Sequence, residues 1–278
     1  PAGLQPAPFD CFGIPPKIGF ILYYHLIKSH SNINKYMKKN MEQKDFWIVG
    51  KHAVCEAIKN KKRTTTDIAI LEQNSDSIKA ITSSKFKIVN KRFFNKICEN
   101  QHYQHQGYAV KIKPFKKLNL KENIKNIKDI LILNDINDQR NIGSILRNCL
   151  AFNIRNIIIP NKFYKANSMG LYITAAGSME KINIYDVTNI SNSIRLLKEN
   201  DFWIVGFDQE SNDTIEKFSF NKKNALILGS EGFGIKQLVK SQCDHILKIN
   251  ISNELESLNV SNASAIILYE LAKKNRPS

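Results

Sequence analysis

The sequence of 278 residues predicts an α/β fold built on a mostly parallel sheet, with a smaller α/β unit ahead of it. Three observations carry that expectation. Short apolar runs recur in the second half of the chain, as in Ile130-Leu131-Ile132-Leu133, Ile157-Ile158-Ile159-Pro160 and Ala225-Leu226-Ile227-Leu228, the mark of strands buried on both faces. Between them lie helical periodicities, the clearest being Ile142, Ile145, Leu146, Cys149 and Leu150 on one stripe. Strands alternating with helices favour parallel pairing, with the helices covering both sheet faces.

Taken in order, residues 1–45 are read as an N-terminal arm, disordered or not native to the protein. They begin at Pro1 and carry Pro6, Pro8, Pro15 and Pro16, and Met37 and Met41 are alternative starts. The apolar run from Ile18 to Ile27 is too short for a bilayer, which needs about 20 residues. Only Lys17 supplies a nearby upstream positive charge and no small-residue cleavage site follows, which argues against a signal peptide.

Residues 46–113 form the small unit. Phe46-Trp47-Ile48-Val49-Gly50 reads as a strand closed by glycine, and Val54, Ala57 and Ile58 as a helical face. Asp67 to Leu71, Phe86 to Val89 and Ala109 to Ile112 read as further strands. Lys111 to Lys128 holds seven lysines and one glutamate, so 114–128 is expected to be an exposed basic linker. The rest, 129–278, is the larger domain. Beyond the runs already named it has strands at Phe202 to Phe207 and Ile246 to Ile249, and a last helix with Val260, Ala263, Ile267, Leu268 and Leu271 on one face.

Composition narrows the partners. Hydrophobic content of 42% and charged content of 24% are those of a globular chain, but 41 Lys+Arg against 25 Asp+Glu give a net charge of +16. Such a balance suits either a solvated lysine-rich surface or a polyanionic partner. A membrane surface fits less well than nucleic acid, because the lysines do not ride an amphipathic helix. Cys11, Cys55, Cys98, Cys149 and Cys243 are scattered and odd in number, which suits a reducing, cytoplasmic setting and argues against a disulfide framework or zinc site. His102 and His105 have no Cys or carboxylate nearby to complete a metal site, so no metal is expected.

Three segments are too polar for their place directly after apolar strands, where open α/β sheets hold ligands. The first runs from Asn134 to Gly143 and on to Arg147. Asp138 or Asn141 could cap the helix, and Arg147 could be an ordinary surface cation. The second is Gly229-Ser230-Glu231-Gly232-Phe233-Gly234. Its glycines permit close backbone approach to a ligand, but the order is not that of a dinucleotide fingerprint, and a plain tight turn remains open. The third runs from Asn253 to Ala263, where Ser257 or Asn259 could simply cap the last helix. Together the three are better explained by one shared site.

These segments resemble the three motifs of the SpoU (TrmH-type) RNA 2′-O-ribose methyltransferases of the SPOUT superfamily. Asn141-Ile142-Gly143 with Arg147 is similar to the first motif. Leu228 to Gly234 is similar to the second, and Ser257-Leu258-Asn259-Val260-Ser261 with Ala263 to the third. Gly50-Lys51-His52-Ala53-Val54 and His105-Gln106-Gly107 resemble the N-terminal domain of the RlmB-like subgroup, which acts on a guanosine of 23S-type rRNA. The sequence departs from the family at two prolines, with Gln139 after Asp138 and Asn250 after Ile249.

The resemblance implies a SPOUT-type sheet with a deep C-terminal trefoil knot, preceded by a small L30e-like α/β substrate-binding domain. It implies S-adenosylmethionine as cofactor, held by Leu228, Gly229, Gly234, Ile249, Ile251, Leu258 and Asn259. Catalytic work falls to Asn141, Arg147, Glu231, Ser257 and Asn259. Arg147 would act as the base or, more easily for a guanidinium that holds its proton firmly, steady the developing alkoxide. A homodimer acting on large-subunit rRNA is implied. Two rivals stay open: the same chemistry on tRNA, and a non-catalytic rRNA assembly factor that keeps the fold.

Overall fold

The computed structural model describes residues 44–99, 101–230 and 234–274, and Asp45–Ser278 forms one compact unit. The N-terminal arm expected over 1–45 lies, but for its last two residues, outside the described residues. None of the described helices is long and apolar enough to cross a membrane.

The first sheet has the order β1-β4-β2-β3, from β1 (Phe46–Val49), β2 (Thr65–Ile70), β3 (Lys87–Ile88) and β4 (Tyr108–Ile112). Helix α1 (Lys51–Lys59) leaves β1 at Gly50, whose φ of 97° suits a residue without a side chain. Two short helices, α2 (Ser75–Lys79) and α3 (Lys91–Ile97), escape the periodicity reading because neither is long enough to show a full stripe.

The expected exposed linker is corrected. Its lysines do face solvent, but Leu120 in the short helix α4 (Leu120–Asn123), with Ile124 and Ile127, is buried beneath the larger sheet. Their spacing of four and three residues gives the segment an apolar side that a count of lysines hides.

Among the described residues the second sheet has six strands in the order β10-β8-β9-β5-β6-β7, all paired in parallel. They are β5 (Asp129–Leu133), β6 (Asn156–Pro160), β7 (Asn183–Val187), β8 (Trp203–Phe207), β9 (Asn224–Leu228) and β10 (His245–Leu247). Strand β9 enters between β5 and β8, both earlier in the chain. Helix α5 (Gln139–Ala151) buries Ile142, Ile145, Leu146 and Cys149, each of the three aliphatic side chains contributing about 1.5–3 kcal/mol on leaving water. Helix α6 (Met169–Ala175) packs against α5 and also meets β1, joining the two sheets. Gly143 permits the α5–α6 approach, since a Cβ there would sit 2.0 Å from Thr174 Oγ1 and 2.6 Å from the Leu171 carbonyl. Helices α7 (Ile190–Lys198), α8 (Gln237–Lys240) and α9 (Val260–Lys274) complete the fold, and α9 packs on α5.

A buried ion pair spans the junction of the two sheets. Arg63 Nη2 lies 2.6 Å from Glu180 Oε1, with the side chains 0% and 2% exposed. Arg63 also donates to the Lys113 carbonyl, Asn60 donates to Glu180, and the Phe115 ring stacks 3.3 Å from the guanidinium carbon.

Candidate active site

Four strands of the larger sheet end level with one another. Leu133 pairs with Leu228, Gly206 with Ile227, and Phe207 with Leu247. The residues that follow are Asn134, Gly229, Asp208 and Lys248, so four loops open at one edge. The edge is the carboxyl end of parallel strands, where open α/β folds gather ligand sites.

Between these loops lies a cavity of about 410 Å³. Of the residues assigned to the cofactor from sequence, Leu228, Gly229, Gly234, Ile249 and Leu258 line it, as does Ser257. Ile251 and Asn259 are not on its wall. Ile251 packs against the core, and Asn259 caps α9, accepting from Ser261 N at 2.9 Å. The glycine loop is pinched shut, with Ser230 and Gly234 exchanging two backbone hydrogen bonds of 3.0 Å. A Cβ on Gly229 would meet the Gly234 carbonyl carbon at 2.1 Å, so only glycine permits this closure. Glu231 lies outside the described residues.

Phe207 at the end of β8 lines the cavity, and the loop after it supplies a wall that the sequence reading missed: Asp208, Gln209 and Glu210. Its signal was present, a polar run directly after the apolar strand Trp203–Phe207. Burial works to raise the Asp208 pKa, but hydrogen bonds from Lys240 Nζ at 2.8 Å and Glu210 N at 3.0 Å outweigh it and hold the carboxyl below its ordinary range. The cavity thus has an apolar side and a fixed carboxylate at its rim.

Next to this cavity, α5 begins. Asp138 is its N-cap and accepts from Arg140 N at 2.8 Å, which settles which of the two candidates caps the helix. Asn259 Nδ2 donates to Asn141 Oδ1 at 3.4 Å, bringing the first and third motifs together across 118 residues. Directly after Arg147, Asn148 ties α5 to α9 by donating to the Ser261 carbonyl and Ser264 Oγ. Arg147 itself is exposed and makes no ion pair among the described residues.

The two departures from the family prolines acquire partners. Gln139 donates through Nε2 to the Phe163 carbonyl at 2.7 Å and accepts from Lys165 N at 3.1 Å. Where a proline would stiffen the turn through its ring, here a side chain stiffens it by bonding the 163–165 loop. Asn250 reaches Glu216 at 3.4 Å.

The upstream motifs also converge. Lys51 N at the start of α1 donates to Gln106 Oε1 at 3.1 Å, so Gly50-Lys51 and Gln106-Gly107 meet at one corner. His105 stacks on Phe94 with ring centres 4.2 Å apart and accepts from Gly107 N at 2.9 Å. Burial, with Lys91 adding to it, lowers its pKa, and the ring serves as a packing element.

The sequence pattern of the SpoU rRNA Methylase family matches residues 128–269. A protein of Staphylococcus saprophyticus assigned to the TrmH family of tRNA/rRNA methyltransferases is 32% identical over 237 residues, covering 82% of this chain and 95% of its own. A Bacillus subtilis protein with the same assignment is 28% identical over 254 residues, covering 85% of this chain and 99% of its own. Among solved structures, the AdoMet-bound rRNA methyltransferase of Sinorhizobium meliloti superposes with a TM-score of 0.69 over 87% of this chain and 92% of its own, at 20% identity. That likeness bears on the fold.

Proposed function

We propose that this chain, which belongs to the SpoU rRNA Methylase family, transfers a methyl group from S-adenosylmethionine to a ribose 2′-hydroxyl of RNA, with a guanosine of large-subunit rRNA as the favoured target. The observation that carries the reading is the level ending of β5, β8, β9 and β10 around one cavity that both later motifs line. S-adenosylmethionine, when bound, supplies an electrophilic methyl group.

The cavity fits that cofactor on three counts. Its volume of about 410 Å³ falls in the range of small-molecule sites, about 300–1,000 Å³. Leu228, Ile249, Leu258 and Ile267 offer an apolar wall for a neutral adenine ring, and Gly229 and the paired Ser230 and Gly234 admit a ligand close to main chain. The carboxylates of Asp208 and Glu210 suit ribose hydroxyls or a cationic methionine part.

Ser257 lines the cavity, Asn259 two residues on bonds Asn141 of α5, and hydroxyl and amide groups there can orient a ribose. The exposed Arg147 carries charge that can steady an oxygen as it loses its proton. Its charge makes the electrostatic role easier than that of base. The net charge of +16 supports a polyanionic substrate whose affinity falls as salt rises. Two further features of the reading are a trefoil knot and a homodimer. The late insertion of β9 and the packing of α9 on α5 support the first. The exposed Ile266 and Tyr269 on α9 support the second.

Mapping 2′-O-methyl sites in rRNA and tRNA from cells with and without the gene tests the proposal. One rRNA site lost in the deletion is the expected outcome. Loss of a tRNA site instead would move the substrate to tRNA, and an unchanged map would favour the assembly-factor reading.

A further inference from the structure

A second cavity, of about 470 Å³, opens where the small sheet meets the larger one. Gln101, His102, Tyr103 and Gln104 form one wall, and Arg140 with Thr174 forms the other. We infer that this crevice is a pocket for an unstacked nucleobase of the RNA, adjoining the position of the methylated nucleotide; the inference rests on the RNA-methylating reading above.

The chemistry of the lining fits a base. Sequence-specific readers of single-stranded RNA stack bases on aromatic rings or guanidinium planes and bond their edges with groups that donate and accept. Here the rings are His102 and Tyr103, the guanidinium is Arg140, and Gln101 and Gln104 each carry a donor and an acceptor. Tyr103 is half-buried against the apolar cluster of the small sheet, so its ring is held in place, whereas His102 and Arg140 are exposed. Gly170 keeps the floor open: a Cβ there would begin 3.9 Å from Tyr103 Cε1 and 3.8 Å from Arg140 Cγ, so any longer side chain would project between them.

The loop is fixed before any ligand arrives. Tyr103 N bonds the Gln101 carbonyl and His105 N the Tyr103 carbonyl, both at 2.8 Å. The following residues are held by the His105–Phe94 stack and by Lys51 on Gln106. Position ties the pocket to the reaction. Arg140 precedes Asn141, which contacts Asn259 beside the cofactor cavity, and Arg147 lies seven residues on, two turns and about 10 Å along the same helix face. A strand crossing that face meets the pocket at one end and Arg147 at the other.

Two measurements on the full chain test this. The first is photo-cross-linking to a single-stranded RNA containing 4-thiouridine, with the cross-linked residues mapped. The second is methylation of RNA from cells lacking the gene by Tyr103→Leu, Arg140→Gln and a pocket-filling Gly170→Leu. Cross-links at His102 or Tyr103 are expected, and loss of one stacking partner should raise the KM for RNA about tenfold, with S-adenosylmethionine affinity unchanged. Folded Tyr103→Leu and Arg140→Gln variants with wild-type KM, together with cross-links elsewhere, would overturn the pocket. A wild-type chain that binds S-adenosylmethionine but methylates no RNA would overturn the catalytic reading instead, and cross-links at His102 or Tyr103 would still uphold the pocket.

Discussion

The junction between the two sheets and the carboxyl edge of the larger sheet are both rich in polar side chains, yet they treat them in opposite ways. At the junction, Arg63 and Glu180 are shut away from water, and partners occupy their polar groups: Asn60, Lys113 and Tyr172 as well as each other. Even the Tyr172 hydroxyl is locked, its pKa pushed up to about 12 by burial against the pull of Arg63. At the edge, Arg147 is exposed to solvent and Ser257 faces a cavity. A fully satisfied network fixes geometry, while loosely satisfied groups are available to a ligand. Substitutions at the junction should therefore cost stability, and substitutions at the edge should cost function.

The largest effect is expected at the junction. Arg63→Met leaves the Glu180 carboxylate buried without its cation, which costs about 3–5 kcal/mol. Urea unfolding monitored by circular dichroism measures it. Adding Glu180→Leu should restore much of the loss, because an apolar pair of similar volume is often as stable as the ion pair. A single variant as stable as wild type would show that the junction is not the rigid element described.

Gly229→Ala tests the edge. Its Cβ would collide with Gly234 main chain at 2.1 Å, so the loop must open and the cavity wall shift. Displacement of about 1 Å near a reacting centre can cost about a hundredfold in rate. Calorimetric titration with S-adenosylmethionine and a methyl-transfer assay should both register the loss, while the unfolding midpoint changes less than in Arg63→Met.

The smallest effect concerns pH. The folded-state pKa of His105 lies below its unfolded value, since burial and Lys91 disfavour the cation. The unfolded chain then binds more protons in that window, so stability is present above the ordinary histidine pKa of about 6.5 and declines as pH falls below it. His105→Phe, which can keep the stack on Phe94, should flatten that decline when Tm is compared at neutral and mildly acid pH.

What the sequence disclosed follows the range of each interaction. The stripe of α5 and the runs of β5, β6 and β9 were legible because a 3.6-residue period and a short continuous apolar run are both local signals. Helix α6, Met-Gly-Leu-Tyr-Ile-Thr-Ala, was not, being apolar nearly throughout and only seven residues long. Half of the cavity was readable as polar runs after apolar strands. Asp208 to Glu210 gave the same signal, but without a motif to draw notice to them. The Arg63–Glu180 pair was invisible, since 117 residues separate its members and neither stands out in its own segment. The strand order was likewise hidden: no local pattern tells that β9 enters between β5 and β8.

Ribose methylation at the four-loop edge is the proposed activity. Its most direct test incubates the full chain with methyl-labelled S-adenosylmethionine and RNA from cells lacking the gene, digests the product to nucleosides and locates the label. The account expects label in a 2′-O-methylnucleoside, strongly reduced by Arg147→Ala. Label on a base, or none in any RNA that the chain binds, would contradict it.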